Sequence, residues 1–449
     1  MKTKTLNILQ ISTYEQGGGA ERVAWLLFDA YRTRGLGSQL AVGFKQSNDP
    51  DVIELRGPRR PFPWAHMAWV VHGRLSPLQK LPGVESIRRL CRILAIGTSE
   101  LMRQLGRENF HHPTSHRLVR QLAASADIVH GHNLHGDYFD LRLLVELSHK
   151  KPLVLTLHDE WLLTGHCACT LGCSYWERGC GNCPDLTIYP EIYRDATHWN
   201  WKRKQRIYAR SRLYIATPSR WLMERVQRSM LQPVETRVIP NGIDLSLYHP
   251  ADKYRSRITL ALPTDAIVLL FAATGLKNRF KDYPTLEAAV RTFAAGYTGA
   301  QQVIFVALGA EEKRRYTIGQ VTVYALPFIK DPATVAQYFQ AADVYLHAAH
   351  ADNFPNVVLE ALACGTPVIA TAVGGIPEQI ADGVTGFLTP PGDSQAMAER
   401  LHFLVSNAAL RARMSTQAAI VARQRFDHNR QVQDYLNWYQ EILMNDDVR

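Results

Sequence analysis

The sequence predicts an α/β protein of two domains, each a parallel sheet covered on both faces by helices. Three observations predict it. The chain has 449 residues, too many for one ordinary core. Short apolar runs alternate with segments of helical periodicity along nearly the whole length, the pattern of buried parallel strands joined by crossover helices. The alternation breaks at Pro240-Asn241-Gly242-Ile243-Asp244, a turn-rich segment, and a second strand–helix series starts after it.

The elements follow in order. Leu6 to Ile11 is apolar with little alternation, as a buried parallel strand should be. Gly17-Gly18-Gly19 comes next, then Val23, Leu26, Leu27, Ala30 and Tyr31 at helical spacing. Gln39 to Val42 is the following strand, which completes a βαβ unit. Its loop is not Gly-x-Gly-x-x-Gly, so a nicotinamide dinucleotide is not indicated. Bare glycines permit close backbone approach to a ligand, or only a tight turn. After a long basic segment, strands are expected at Asp127 to His130, Leu153 to Leu157, Tyr214 to Thr217 and Arg237 to Ile239, with a helix over Leu141 to His149. The second series has strands at Ile267 to Ala272, Gln302 to Leu308, Val321 to Ala325, Asp343 to His347 and Pro367 to Thr371. A last helix, Asn429 to Met444, carries Val432, Tyr435, Leu436, Tyr439 and Ile442 on one stripe.

Apolar content of 46% and charged content of 20% suit a soluble globular protein. No apolar run approaches the roughly 20 residues of a membrane span. The N-terminus reads as a first strand rather than a signal peptide, so a cytoplasmic location is expected, with reduced cysteines. The net charge of +10 fits attraction to anionic substrates or an anionic membrane surface; a solvated basic surface is the commoner reading. Arg59-Arg60-Pro61-Phe62-Pro63-Trp64, Arg88-Arg89-Leu90-Cys91-Arg92 and Trp199-Asn200-Trp201-Lys202-Arg203-Lys204-Gln205-Arg206 favour the membrane, because aromatic residues beside Lys and Arg suit a lipid interface. A peripheral position on the inner face of the membrane follows from that. No nucleic-acid motif accompanies these runs, and no nucleic-acid partner is expected.

The most informative stretch is Asp352-Asn353-Phe354-Pro355-Asn356-Val357-Val358-Leu359-Glu360-Ala361-Leu362-Ala363-Cys364-Gly365-Thr366-Pro367-Val368-Ile369-Ala370-Thr371. A strand leads into an acidic loop, and Pro355 suits the first turn of the helix that follows. That helix end offers free N–H groups and partial positive charge to an anion. Asp352 and Glu360 frame it, and carboxylates accept hydrogen bonds from sugar hydroxyls. A site wanting both phosphate and polyol is a nucleotide-sugar site. The pattern resembles the acidic-x7-Glu signature of retaining glycosyltransferases of family 4, although the family norm is Glu where Asp352 stands. The resemblance covers nearly the whole chain and is weakest over residues 50–112. It implies the GT-B fold, two Rossmann-like domains facing across a cleft. Residues 1–245 would form the acceptor domain and 246–427 the donor domain, with a helix over 428–449 crossing back.

The resemblance also assigns roles. Lys281 stands where the family's lysine binds the donor diphosphate; Asp282 replaces the usual Gly and Leu276 an arginine, for which Arg279 or Lys277 could substitute. Glu360 would hold the ribose. Asp352 and the backbone N–H groups of Asn353, Phe354, Pro355's neighbourhood and Asn356 would face donor sugar and phosphate. Gly18 and Gly19 would lie at the cleft. His158, at a strand end before Asp159, would donate a hydrogen bond to the sugar; otherwise it is a structural histidine bonded to Asp159. His130, His132 and His135 suggest metal by type, but the resemblance suggests an acceptor-side loop.

Five of the seven cysteines lie between Cys167 and Cys183. Cys180-x-x-Cys183 is a tight pair and Cys167 with Cys173 can supply another, a set that suits structural zinc; a reduced cysteine-rich loop or a disulfide is the alternative. With His158-Asp159-Glu160-Trp161, this loop (residues 164–184) resembles that of exopolysaccharide and colanic-acid-type transferases. The implied function is transfer of a sugar from a nucleotide sugar to a saccharide or lipid-linked saccharide with retention, catalysed without a metal cofactor, the leaving diphosphate taking the acceptor proton. A GT-B epimerase or phosphorylase, a zinc-dependent binding module and an inactive transferase are the rivals.

Overall fold

The computed structural model describes residues 5–56, 63–76, 81, 83–94 and 98–446. It divides into two compact units. The first takes the chain up to Ala216, Glu224–Arg237 and the end from Glu441; the second takes Thr217–Met223 and Val238–Gln440.

In the first unit the strands are β1 (Asn7–Tyr14), β2 (Gly37–Phe44), β3 (Val52–Glu54), β4 (Ile128–Gly131), β5 (Leu153–Thr156), β6 (Leu213–Thr217) and β7 (Glu235–Val238). Their order is β3-β2-β1-β4-β5-β6-β7, and β3 through β6 pair in parallel. Burial of both faces explains the apolar runs: β1 is buried from Ile8 to Thr13.

The second unit contains β8 (Ile267–Ala272), β9 (Val303–Ala310), β10 (Arg314–Ile318), β11 (Val321–Pro327), β12 (Val344–His347), β13 (Val368–Thr371) and β14 (Gly386–Thr389), in the order β10-β11-β9-β8-β12-β13-β14. Only β10 runs antiparallel, against β11. Side chains alternate between the sheet faces. Val268 and Leu270 join Ile304, Tyr345, Val358 and Leu362 in one core; Ile267, Leu269 and Phe271 join Phe305, Val290 and Leu401 in the other.

The expected boundary at residue 245 is corrected. Ile243 N donates to Phe426 O at 2.7 Å and Gly242 N to Gln431 Oε1 at 3.0 Å. These bonds tie Pro240 to Asp244 into the second unit, so the division falls at Arg237. The last helix, His428–Asp446, likewise belongs to the second unit as far as Gln440. Within the first unit, Arg237 pairs with Glu441.

Arg59 to Phe62 lie outside the described residues. The run Trp199 to Arg206 forms part of the helix Thr197–Tyr208, and its lipid-facing reading is corrected in part. Lys204 is fully buried, donates to Trp161 O at 2.8 Å and pairs with Glu108 at 3.0 Å. Trp201 is buried too.

Candidate active site

Each sheet reverses its strand order once, between β1 and β4 in the first unit and between β8 and β12 in the second. Open α/β sheets bind ligands beyond the carboxyl ends of the strands at such a point. In the second unit the loop after β8 carries Lys281 and the loop after β12 carries Asp352. Backbone bonds lace the two together: Asp282 N to Ala348 O and His350 N to Phe280 O, each 3.0 Å.

Lys281 Nζ forms an ion pair with the Asp352 carboxylate and lies 3.3 Å from His347 Nε2. His347 Nε2 is 3.6 Å from Asp352 Oδ2, and its Nδ1 is 3.2 Å from the Tyr345 hydroxyl. Burial would raise the Asp352 carboxyl, but the Lys281 ammonium and His347 overcome it and hold it well below the usual carboxylate range. Burial, aided by the charge on Lys281, pushes His347 down to about 4, so this ring is neutral near pH 7. Asp282, unusual for the family, is explained locally. It is the N-cap of the helix Tyr283–Gly296, accepting from Thr285 N at 3.1 Å.

The helix after Asp352 spans Asn356–Ala363, with Pro355 at the N-cap at φ −64°, one position earlier than a first-turn proline. Its entry is fixed on several sides. Gly375 N donates to Asn353 O at 2.8 Å, and Ser219 Oγ to Asn353 Oδ1 at 2.6 Å. Asn241 Nδ2 reaches Asn356 Oδ1 at 3.0 Å, and Gln379 Nε2 reaches Pro355 O at 3.0 Å. Gly374 has φ +57°, and a Cβ there would lie 1.8 Å from Asp352 O; only glycine lets the two loops approach so closely. Glu360, one turn into the helix, is buried.

Lys277 pairs with Glu311 at 2.7 Å on the exposed surface. Arg279 is exposed in the same loop. Leu276 packs against the core on the Phe271 side of the sheet, so nothing charged occupies that position.

In the first unit, Gly18 and Gly19 lie exposed at the start of the helix Gly19–Thr33, which follows β1. The histidines gather beyond β1, β4 and β5. His158 Nε2 lies 3.0 Å from His132 Nδ1, and His132 Nε2 lies 3.0 Å from Gln10 Oε1. His130 bonds Thr156 Oγ1 at 2.7 Å. Burial pushes His158 down to about 4, His130 to about 3 and His132 well below 6.5. Asp159, whose charge bears on His158, bonds His135 Nε2 at 2.7 Å. Burial would raise Asp159, but His135 holds it low.

Among the described residues no disulfide joins the cysteines. Cys180 Sγ accepts from Gly165 N at 3.2 Å, and Cys183 Sγ lies 3.4 Å from His166 Nε2. Burial raises the Cys180 thiol to about 12 and Cys167 well above 9. Among the described residues no group of three or more His, Cys, Asp or Glu is gathered to hold a metal ion. Cys173 Sγ accepts from Tyr175 N at 3.5 Å.

Residues 17–247 match the family model for Glycosyltransferase Family 4, and residues 297–420 match that for Glycosyl transferases group 1. The colanic acid biosynthesis glycosyl transferase WcaC of Escherichia coli (strain K12) is 28% identical over 82% of this chain and 83% of its own. D-inositol 3-phosphate glycosyltransferase of Saccharomonospora viridis is 31% identical over 47% of this chain and 51% of its own. Among solved structures, sucrose-phosphate synthase from Thermosynechococcus elongatus superposes with a TM-score of 0.66 at 18% identity, over 98% of this chain and all of that one. Anabaena HepE in complex with UDP-glucose gives 0.61 at 20%, over 98% and 100%. The chain belongs to glycosyltransferase family 4 and is a glycosyltransferase of the GT-B fold.

Proposed function

We propose that the protein transfers a sugar from a nucleotide-sugar donor to a saccharide or lipid-linked saccharide, with retention at the anomeric carbon, in surface polysaccharide biosynthesis. The observation that carries this reading is the Lys281–Asp352 pair at the sheet's switch point, beside the start of the helix Asn356–Ala363. An ammonium and a helix N-terminus together suit a diphosphate leaving group. In this reading Lys281, aided by Arg279, stabilises the departing diphosphate, Glu360 holds the ribose, and Asp352 with the backbone of 353–356 faces the donor sugar. His158 contacts the sugar. The departing phosphate takes the acceptor's proton, and no divalent ion is required. UDP-glucose bound to HepE and the name of WcaC support the donor and pathway class.

The test is nucleotide release from UDP-, GDP- and ADP-sugars with and without a lipid-linked acceptor extract, with the product anomer read by NMR. Acceptor-dependent release with retention supports the proposal. Release without acceptor, an epimerised donor or an inverted product would each replace it.

Membrane association is part of the same proposal. Residues 56–112 hold ten Lys and Arg against three Glu, a net +7 of the chain's +10. Met67, Val70, Val71, Leu81, Ile87, Leu90, Leu101 and Leu105 are exposed there. Apolar side chains interspersed with positive charge suit an anionic bilayer. Among the described residues no helix is long and apolar enough to cross a membrane. Co-sedimentation with vesicles containing phosphatidylglycerol, but not with purely zwitterionic ones, is expected; equal absence from both pellets would remove the membrane. Structural zinc on Cys167, Cys173, Cys180 and Cys183 rests on spacing alone, and one zinc per chain by elemental analysis is the result that would sustain it.

A further inference from the structure

The helix Thr197–Tyr208 buries Trp201 and Lys204, whereas Trp199 is 40% exposed. Trp199 and Arg203 are four residues apart and share one face of the helix. The segment that ends in Phe110 is laced to this helix and to the chain before it. Asn200 Nδ2 donates to Gly106 O at 3.0 Å, and Glu108 N donates to Asn200 Oδ1 at 3.1 Å. Tyr193 N donates to Arg103 O at 3.2 Å. Gly106 has φ +71°, and a Cβ there would lie 1.9 Å from Arg194 O, so only glycine lets the two stretches approach. This lacing brings two guanidinium groups to one indole. Arg107 Cζ lies 4.5 Å and Arg203 Cζ 4.3 Å from the Trp199 ring centre. Arg203 Cζ also lies 4.2 Å from the Phe110 ring centre, and its Nη1 donates to Glu108 O at 2.8 Å.

The carboxylates nearby are already engaged. Glu108 pairs with Lys204 at 3.0 Å, and Asp140 with Arg142 at 2.7 Å. Among the described residues neither Arg107 nor Arg203 forms an ion pair. Burial, with the like charges of Arg142 and Arg107, pushes Arg203 down to about 10 against the pull of Glu108 and Asp140. Two guanidinium groups without a counter-ion suit a phosphate, which their planar forks match. The surroundings indicate what carries that phosphate. Leu101 and Leu105, on the stretch leading to Arg107, are exposed, as is Tyr193. Apolar and aromatic side chains beside guanidinium groups suit the headgroup level of a bilayer. We propose that Arg107, Trp199 and Arg203 form a site for the phosphate of a lipid headgroup. The proposal rests on the membrane association given above, and replaces a diffuse attraction with a defined contact.

The experiment is co-sedimentation of the full chain, Arg107→Lys and Trp199→Ala with phosphatidylglycerol vesicles, with thermal unfolding as the check that each is folded. Arg107 and Trp199 are both exposed, so the variants should melt with the unaltered protein. Arg107→Lys keeps the charge, so diffuse attraction to an anionic surface is unchanged, while the planar fork and its stacking on the indole are lost. Each variant should bind vesicles about threefold more weakly, the worth of one exposed cation–π contact. Equal binding by all three proteins overturns the site and leaves the membrane association standing. A loss in Trp199→Ala alone also overturns it, and makes the indole an apolar anchor. No pelleting of the unaltered protein overturns both the site and the membrane association. Release of the unaltered protein by millimolar inorganic phosphate at constant ionic strength, but not of Arg107→Lys, overturns the lipid and assigns the site to a free phosphate.

Discussion

Replacing Asp352 by Asn should tighten the binding of a nucleoside diphosphate while it slows sugar transfer. The structure has Lys281 already engaged by a carboxylate, with side chains only 15% and 20% exposed. Two unit charges in contact attract by about 4 kcal/mol at an effective dielectric of about 20. An incoming diphosphate must share the ammonium with Asp352. If sharing halves the attraction, about 2 kcal/mol returns when the carboxylate is gone, equivalent to about a 30-fold lower Kd. Asn keeps the size of Asp, so the loop bonds from Ser219 and Gly375 to Asn353 should survive. Transfer should fall because the amide replaces the carboxylate proposed to face the sugar, and loss of one such group costs about 100-fold or more. Isothermal titration with UDP gives the first quantity and turnover of the identified donor the second. Weaker UDP binding by a folded Asp352→Asn protein would refute the reasoning: Asp352 would then hold Lys281 in place for phosphate rather than compete for it.

Three further outcomes are expected. Glu360→Gln should fold normally and bind UDP about 10- to 100-fold more weakly, the range for one charged hydrogen bond; unchanged affinity by titration would take the ribose away from Glu360. Gly374→Ala should lower stability by more than about 1 kcal/mol, through a left-handed backbone and the clash with Asp352 O, and should weaken UDP binding; denaturant unfolding and titration read both, and a wild-type result on either would mean that the loop yields freely. Stability should fall on acidification from pH 6.5 toward 4. The folded values of His158 and His347 are about 4 and that of His130 about 3, against 6.5 unfolded. The unfolded chain therefore binds the extra protons first, and each such histidine contributes a loss of about 1.4 kcal/mol per pH unit in that window. Chemical unfolding at pH 7 and pH 5 checks this, and equal stability would show that the rings are not held neutral.

What was legible in the sequence follows from how parallel sheets are built. Strands buried on both faces are largely apolar, so β8 and β9 stand out as runs. By contrast, β3 is a three-residue edge, and β10 is an exposed edge beginning Arg314-Arg315, with no apolar signature to find. The domain boundary was misplaced because a turn signal marks where the chain bends, whereas the bonds from Gly242 and Ile243 to Gln431 and Phe426 decide which unit the bend belongs to. Those partners are nearly two hundred residues away.

The site divides in the same way. Residue types announced Lys281, Asp352 and His158, but pairing did not follow from proximity in sequence. Asp159 adjoins His158 yet bonds His135, 24 residues back, a partner that spacing alone does not reveal. His347 went unnoticed although it ends β12 at the switch point. The available signal was positional: a polar side chain closing an apolar strand, immediately before a loop with an acidic residue. Applied to the first sheet, the same rule picks out His130 on β4. It does not pick out Gln10, which lies within β1 and whose Oε1 is 3.0 Å from His132 Nε2. The pairing of β1 with β4 brings it to that ring, so the sheet register reveals a neighbour that composition could not.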